Sequence, residues 1–210
     1  MSSKIQKNGK PEPRRFIIGM SGATGAIYGI RMLQMLRTVP GVETHLVMSK
    51  AAERTVAYET NFTIDQVRAL AHESYNILDI GAKPSSGSFP VEGMIVAPCA
   101  MKTLGAVANS LSLDLLSRSA DVTLKERRKL VLMVREAPLH LGHLRLMVQA
   151  AEIGAIISPP VPAFYNFPKT LDDMVNHTVG RVLDLFGVDV DLVKRWEGMS
   201  AKNKKLASTK

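Results

Sequence analysis

A glycine-rich turn near the start of the chain has the composition of a ligand-binding turn. Ser21-Gly22-Ala23-Thr24-Gly25 follows an apolar run and precedes an amphipathic one. Its small residues let the backbone approach a ligand, and the free N–H groups at a helix start favour an anion. The glycines are spaced Gly19-x-x-Gly22-x-x-Gly25 rather than as in the dinucleotide fingerprint, and the next strand ends in Met48-Ser49-Lys50, without an acid to hold an adenosine ribose. The turn therefore predicts a mononucleotide such as FMN rather than NAD, with a ligand-free turn as the alternative.

A second candidate segment, Pro98-Cys99-Ala100-Met101-Lys102-Thr103, follows another apolar strand. Thr103 and the free N–H groups of the helix that starts there could hold a phosphate or the edge of a flavin. Cys99 is more typical of a small buried apolar residue than of a nucleophile, since no His-Asp pair accompanies it.

Charged residues lie on both sides of the predicted strand Leu130–Val134. Arg135-Glu136 comes directly after it, where a buried strand end is a poor place for charge without a partner. A cation and a carboxylate at that position suit phosphate binding and proton transfer. Arg127-Arg128-Lys129, which precedes the strand, predicts a solvated face.

The C-terminal third offers weaker signals. Phe164-Tyr165-Asn166 in a proline-rich loop predicts either a lid over a flat ligand or an ordinary loop anchor. Arg181 falls on or near the apolar face of a helix, although arginine in mid-helix is usually at the surface. His140-x-x-His143 has helical spacing but lacks a third ligand, and acids at the start of a helix, such as Asp172-Asp173, are explained by its dipole. The sequence therefore predicts no metal site.

The elements that must position these segments alternate between short β-branched runs and longer amphipathic ones. This pattern predicts βαβ units, an α/β fold and a mostly parallel sheet. The predicted strands are Phe16–Met20, Glu43–Met48, Met94–Pro98, Leu130–Val134 and Ala155–Ser158. The predicted helices are Ala26–Arg37, Lys50–Glu59, Thr63–Glu73, Lys102–Asn109, Leu115–Arg128, Leu141–Ile153 and Leu171–Phe186. In such a sheet the chemistry lies at the carboxyl ends of the strands, where the candidate segments fall.

The composition limits the class of protein. The chain has 210 residues, 46% of them hydrophobic, which suits one domain with a core of its own. A single cysteine excludes an intrachain disulfide. The polar N-terminus does not resemble a secretory signal, and no apolar run reaches the roughly 18–20 residues that span a bilayer. We expect a cytoplasmic protein with one domain over residues 16–198, between basic tails at 1–15 and 199–210.

The net charge of +8 invites a nucleic-acid interpretation, but its distribution argues against one. The excess lies in the two termini, because residues 1–15 and 201–210 hold almost all of the unbalanced lysines and arginines. Charge on unfolded tails is not the folded basic face that nucleic-acid binding requires.

Taken together, these segments resemble the UbiX-like flavin prenyltransferase family. The resemblance runs from about Arg15 to Trp196 and rests on the order and spacing of many motifs. They are Gly22-Ala23-Thr24-Gly25-Ala26 with Tyr28-Gly29, Ser49-Lys50-Ala51-Ala52, Glu59-Thr60, Pro98-Cys99, Ala120-Asp121-Val122 through Arg128, Val134 to Pro138, Phe164-Tyr165 and Arg195-Trp196.

The resemblance implies a Rossmann-like, three-layer flavoprotein fold assembled as a dodecamer. It implies an enzyme that joins a dimethylallyl group from dimethylallyl phosphate to N5 and C6 of reduced FMN, without a metal. The prenylated FMN would serve a separate UbiD-type decarboxylase. No nucleic acid and no membrane span are implied.

Site residues are carried over from the family by position. The expected flavin contacts are Gly22, Ala23, Thr24, Ser49, Ala100, Met101, Lys102, Thr103 and Arg135. The expected prenyl-phosphate contacts are Arg118, Lys125, Arg135, Tyr165, Arg181 and Trp196. The expected catalytic groups are Thr24, Glu59, Glu136 and Lys125. Thr24 and Ala100 each replace a commoner serine, so Ala100 can keep only a backbone contact.

Two other functions remain open from the sequence. One is a flavoprotein that decarboxylates cysteine, a chemistry in which the Lys125, Arg135-Glu136 and Tyr165 set has no place. The other is a non-catalytic, FMN-binding subunit of a phenolic acid decarboxylase.

Overall fold

The computed structural model describes residues 12–190, which form two compact units. The larger unit extends to Pro160 and contains the sheet with six of the helices. The smaller unit begins at Val161 and contains the last helix of the described chain.

The larger unit is built on six parallel strands. They are β1 (Arg14–Met20), β2 (Val42–Met48), β3 (Glu73–Tyr75), β4 (Gly93–Cys99), β5 (Lys129–Val134) and β6 (Ala155–Ile157). Their order across the sheet is β3-β2-β1-β4-β5-β6. The strand order reverses between β1 and β4, and in open α/β sheets the ligand crevice lies at that switch point.

Helices connect the strands. They are α1 (Ala26–Arg37), α2 (Lys50–Glu59), α3 (Ile64–Leu70), α4 (Met101–Ala108), α5 (Leu115–Lys125) and α6 (Leu141–Glu152), followed by α7 (Leu171–Asp184) in the smaller unit. Because crossovers between parallel strands are right-handed, connections running in opposite directions from the centre place α1 and α5 on opposite faces of the sheet. The predicted α/β fold is thus confirmed as a three-layer arrangement with an all-parallel sheet.

The centre of the sheet is buried on both faces, as expected for a parallel sheet. All seven residues of β4 are buried. On one face, Ile17, Met94 and Leu132 pack in a cluster with Leu104 of α4 and Leu116 of α5. On the other, Gly29 of α1 lies against Met20 and the Ala97 carbonyl. These contacts fix the strand ends that carry the candidate segments.

Most of the predicted bounds shift by one to three residues, and two differences matter for the fold. β3 lies where the prediction continued a helix to Glu73, because α3 ends at Leu70 and the chain then pairs with His45–Val47 of β2. β1 begins at Arg14, because the Arg14 N–H donates to the Gly41 carbonyl at 2.8 Å and Arg15 pairs with Glu43 at 2.9 Å. Arg14 and Arg15 therefore belong to the sheet rather than to the basic tail.

None of the helices within residues 12–190 has the length and apolar character needed to cross a membrane.

Candidate functional site

The carboxyl ends of β1 and β4 are joined by Ser21. Its hydroxyl donates to the Pro98 carbonyl at 3.0 Å and accepts from the Ala100 N–H at 2.7 Å. Its own N–H donates to the Pro98 carbonyl at 3.1 Å. Ser21 is 2% exposed, so these bonds are shielded from water and hold the first residue of each candidate segment at the switch point.

A cleft of about 500 Å³ opens at this point, a size within the range of small-molecule sites. Five of the predicted flavin contacts line it. They are Gly22, Ser49, Ala100, Lys102 and Thr103. Strands β1, β2 and β4 thus bring three separate segments of sequence to one cavity.

The helix starts around the cleft differ in how they are capped. The Ser49 hydroxyl accepts from the Ala52 N–H at 3.1 Å and caps α2. At the start of α4, the cap residue Ala100 provides no side-chain hydrogen bond. The first N–H groups of α4 therefore lack a side-chain acceptor, and an acceptor on a ligand in the cleft could satisfy them.

Gly22 lets the first turn come close to α2. A Cβ at this position would overlap the Cβ of Ala51. The glycine is therefore required by close packing of the turn against the start of α2. Beside it, Ala23 is buried and Thr24 is half-buried.

Glu59, predicted as a catalytic carboxylate, contacts the start of α1. Its Oε2 accepts from the Gly25 N–H at 2.7 Å and from the Ala26 N–H at 3.2 Å. Gly25 has a left-handed backbone with φ of 96° and cannot cap the helix with a side chain. A carboxylate from the end of α2 therefore satisfies the N–H groups that the glycine turn leaves without a partner.

Arg135 and Glu136 lie at the same edge of the sheet as the cleft. The Arg135 N–H donates to the Cys99 carbonyl at 3.0 Å, which sets Arg135 next to the strand end that leads to Ala100. Both side chains are exposed. The expected charge at this strand end is thus present, in water rather than in the core.

Lys125 lies at the opposite edge. It ends α5 and precedes β5, whereas Arg135 follows β5. The six residues of β5 separate the two by about 20 Å, at roughly 3.3 Å per residue. A single chain therefore does not bring Lys125 to Arg135.

Lys125 lines a second cleft, of about 590 Å³, together with Arg127, Arg128 and Lys129. Lys125 Nζ pairs with Glu126 at 2.5 Å, and this contact lowers the pKa of Glu126. Arg128 is half-buried and donates to the Phe89 and Gly87 carbonyls at 2.8 and 2.9 Å. The prediction of a solvated face is therefore wrong for Arg128, because two backbone carbonyls bind its guanidinium.

Arg118 lies in the first half of α5 and pairs with Asp121 at 3.0 Å. The N-cap of the same helix, Asp114, lines the switch-point cleft, but Arg118 is not among the residues lining that cleft. Met101, the remaining predicted flavin contact in α4, is half-buried and packs against the core.

In the smaller unit, two predicted residues have close partners. The Tyr165 hydroxyl lies 3.0 Å from His177 Nε2. Arg181 is exposed and pairs with Asp184 at 2.6 Å. Trp196 lies outside the described residues.

The side chains considered for other chemistry have structural roles. Cys99 is fully buried, and burial raises its pKa to about 12, which agrees with an inert apolar role. His140 caps α6 through Nδ1, which accepts from the Gly142 N–H at 3.0 Å. Among residues 12–190, no group of three or more His, Cys, Asp or Glu side chains is arranged to hold a metal.

Sequence reasoning missed part of the cleft. Ser21, Arg54 and Asp114 line it without having been predicted as site residues. Ser21 had a signal, since it opens the glycine turn directly after a strand. Arg54 and Asp114 reach the cavity from α2 and from the start of α5, and no motif identifies them.

Comparisons with known proteins agree with this geometry. The family described as Flavoprotein matches residues 4–163. A flavin prenyltransferase UbiX from Salmonella typhimurium is 59% identical over 187 residues, which is 88% of this chain and 99% of the relative.

Two solved structures are also similar. A UbiX protein in complex with FMN and dimethylallyl pyrophosphate is 52% identical with a TM-score of 0.88, over 90% of this chain and 100% of that one. A dodecameric, FMN-dependent UbiX-like decarboxylase from Escherichia coli O157:H7 is 51% identical with a TM-score of 0.86, over 88% of this chain and 100% of that one.

Proposed function

Because the chain belongs to the flavoprotein family and, within it, to the UbiX-like flavin prenyltransferases, we propose that it joins a dimethylallyl group to reduced FMN. The observation that carries this proposal is the switch-point cleft, whose lining includes five residues expected to contact flavin. The similar structure with FMN and dimethylallyl pyrophosphate supports both ligands.

The residues around the cleft fit FMN. The uncapped start of α4 offers N–H donors, Lys102 offers a cation, and the turn at Gly22 leaves backbone close to the cavity. Bound reduced FMN supplies the nucleophilic positions N5 and C6. The protein binds and orients the flavin, and Ser49 helps to form the wall by fixing the start of α2.

Arg135 and Glu136 are suited to the departing phosphate. A guanidinium can stabilise the charge that grows on the phosphate as the allylic C–O bond breaks. The neighbouring Glu136 carboxylate can accept or return a proton. The resemblance assigns further contacts with the ester to Arg118, Tyr165, Arg181 and Trp196.

Lys125 requires a second copy of the chain. It lies at the far end of β5 from Arg135, so within one chain the two residues cannot bind the same phosphate. If Lys125 binds the ester, it does so in a cleft formed with a neighbouring subunit. The dodecameric relative from E. coli supports a dodecamer for this chain as well.

The fate of the product is also part of the proposal. Prenylated FMN would serve a UbiD-type decarboxylase, and the cytoplasm stays the predicted location. Of the alternative functions, a non-catalytic FMN-binding subunit predicts flavin binding without turnover. A cysteine decarboxylase predicts carbon dioxide release from a thiol substrate.

The test is incubation of the purified protein with reduced FMN and either dimethylallyl phosphate or dimethylallyl pyrophosphate. We expect a flavin product heavier by one prenyl unit, detected by mass spectrometry. Tight FMN binding with no product from either ester would support the non-catalytic alternative instead.

A further inference from the structure

His177 is a buried histidine in contact with a residue expected to bind substrate. Its Nε2 lies 3.0 Å from the Tyr165 hydroxyl, and the two rings meet edge to face at 5.4 Å. His177 is 5% exposed, and its Nδ1 is buried without a hydrogen-bond partner. Both residues belong to the smaller unit, so this contact is made within one compact part of the chain.

The lone Nδ1 indicates which nitrogen carries the proton. A proton on Nδ1 would create a buried N–H group without an acceptor, which is rare in proteins. A proton on Nε2 instead has the tyrosine oxygen as acceptor and leaves only an unused lone pair at Nδ1. The neutral Nε2–H tautomer therefore fits the surroundings best.

The charge state agrees with this tautomer. Burial is the main cause that lowers the pKa of His177, Arg181 lowers it further, and Asp184 opposes them. Arg181 follows His177 by four residues on α7, so the two lie on one side of the helix. A second positive charge beside Arg181 is thus disfavoured.

The direction of the hydrogen bond matters for Tyr165. A tyrosine hydroxyl has one proton to donate. If that proton were given to His177, the oxygen would turn only lone pairs toward an anionic phosphate. If the histidine donates instead, the tyrosine proton is available to the phosphate.

We propose that His177 is a positioning residue whose Nε2–H donates to the Tyr165 oxygen, so that the tyrosine proton is directed to the phosphate of the prenyl ester. This inference rests on the proposed function, because it takes the ester as the ligand of Tyr165. Tyr165 is the contacting group, and His177 acts through it.

Two replacements of His177 separate hydrogen bonding from packing. Glutamine can present an amide N–H near the position of Nε2, whereas leucine fills similar space without a donor. Thr178→Val is the matched control, because Thr178 is the next residue on α7 and its hydroxyl bonds only to the Met174 carbonyl, at 2.8 Å. Thermal unfolding of each variant verifies folding.

The measurement is steady-state prenylation with dimethylallyl phosphate as the varied substrate, together with FMN titration. We expect His177→Leu to raise KM for the ester about tenfold, which is the typical cost of one hydrogen bond to a charged group. Tyr165→Phe should have a similar effect. The FMN affinity of every variant should stay near that of the wild type. The KM of His177→Gln and of Thr178→Val for the ester should also stay near the wild-type value.

A double variant tests whether the two residues act as one unit. In the Tyr165→Phe background, His177→Leu should add no further loss, because the hydroxyl that it orients is absent. If His177→Leu fails to fold, His177→Asn replaces it, since the shorter amide cannot reach Tyr165.

Three results would overturn the proposal: wild-type KM in the leucine or asparagine variant, failure of glutamine to rescue, or additive losses in the double variant. A wild-type protein that forms no prenylated FMN would overturn the proposed function and this inference with it. If the wild type forms prenylated FMN but replacement of His177 leaves KM for the ester unchanged, this inference is wrong and the proposed function stands.

Discussion

Two clefts of the larger unit, one lined by Gly22 and one by Lys125, lie at opposite edges of one sheet and are built from different parts of the chain. At the carboxyl edge, the cleft is formed by strand ends, helix starts and small residues, joined by the buried hydroxyl of Ser21. At the amino edge, it is formed by the long cationic side chains of Lys125, Arg127, Arg128 and Lys129. The first offers directed N–H donors, and the second offers positive charge.

The expected site residues of the larger unit therefore fall into two groups, one at each edge of the sheet. The expected flavin contacts that line a cleft lie at the carboxyl edge, where helix starts leave backbone N–H groups without intrahelical partners. Lys125 lies at the other edge, although the resemblance assigns it to the same reaction. If Lys125 binds the ester, as proposed above, a complete site needs two copies of the chain, each supplying a different edge.

The largest effect is expected when the positive charge of Lys125 is removed from the amino edge. Lys125→Ala should weaken prenyl transfer by about 2–4 kcal/mol of transition-state stabilisation, as for other preorganised charge contacts. FMN affinity should stay unchanged, because the resemblance assigns Lys125 to the ester and not to the flavin. Single-turnover prenylation with a parallel FMN titration measures both, and Arg145→Ala on α6 is the control.

Mixed oligomers extend this test. We expect partial recovery of activity when Lys125→Ala subunits are reassembled with subunits that have a defective flavin cleft. In some of the mixed sites, the first subunit supplies an intact flavin cleft and the second supplies Lys125. No recovery in verified mixed oligomers would contradict a shared site.

The carboxyl edge is tested through Gly22. Gly22→Val should reduce FMN affinity more than tenfold and destabilise the fold by about 1–3 kcal/mol, because the added side chain overlaps Ala51. Fluorescence titration and thermal unfolding are the measurements. Gly41→Ala is the control for FMN affinity, since Gly41 has open space around it; its φ is positive, unlike that of Gly22, so unfolding is not compared between the two. Equal FMN affinity in both variants would show that the turn does not shape the site.

Glu59 separates a structural role at this edge from a catalytic one. Glu59→Gln keeps an oxygen that can accept from the Gly25 and Ala26 N–H groups, so FMN binding should stay within about threefold of wild type. Glu59→Ala leaves both donors without this acceptor and should weaken FMN binding further. If the glutamine variant also loses a late step of prenylation, the carboxylate has the predicted proton-handling role. A normal rate would limit Glu59 to supporting the turn.

The smallest effect is expected from the tails. Removing residues 1–13 and 201–210 should leave turnover and assembly unchanged, because these segments carry most of the unbalanced charge and have no apolar pattern that could form a core. Size-exclusion chromatography and the prenylation assay are the measurements. A smaller oligomer would show that the tails contribute to subunit contacts.

The central elements were predicted closely. Helices α1 and α2 have the predicted bounds, because the hydrophobic period of a helix is a local property of the sequence. β3 was missed since Glu73-Ser74-Tyr75 is short and polar, and only pairing with β2 makes it a strand. Asp114 and Arg54 were missed for the same reason, because only the folded chain brings them to the cleft.

The sequence by itself determined the alternation of strands and helices, the glycine turn and the family to which the chain belongs. These follow from local patterns, since each depends on residues that are near one another along the chain. Only the tertiary structure decided that Ser21 joins two strand ends, that Glu59 supports the start of α1 and that Asp114 lines the same cleft as Gly22. Strand order and direction set these contacts, and both arise from long-range pairing across the sheet that no local pattern encodes.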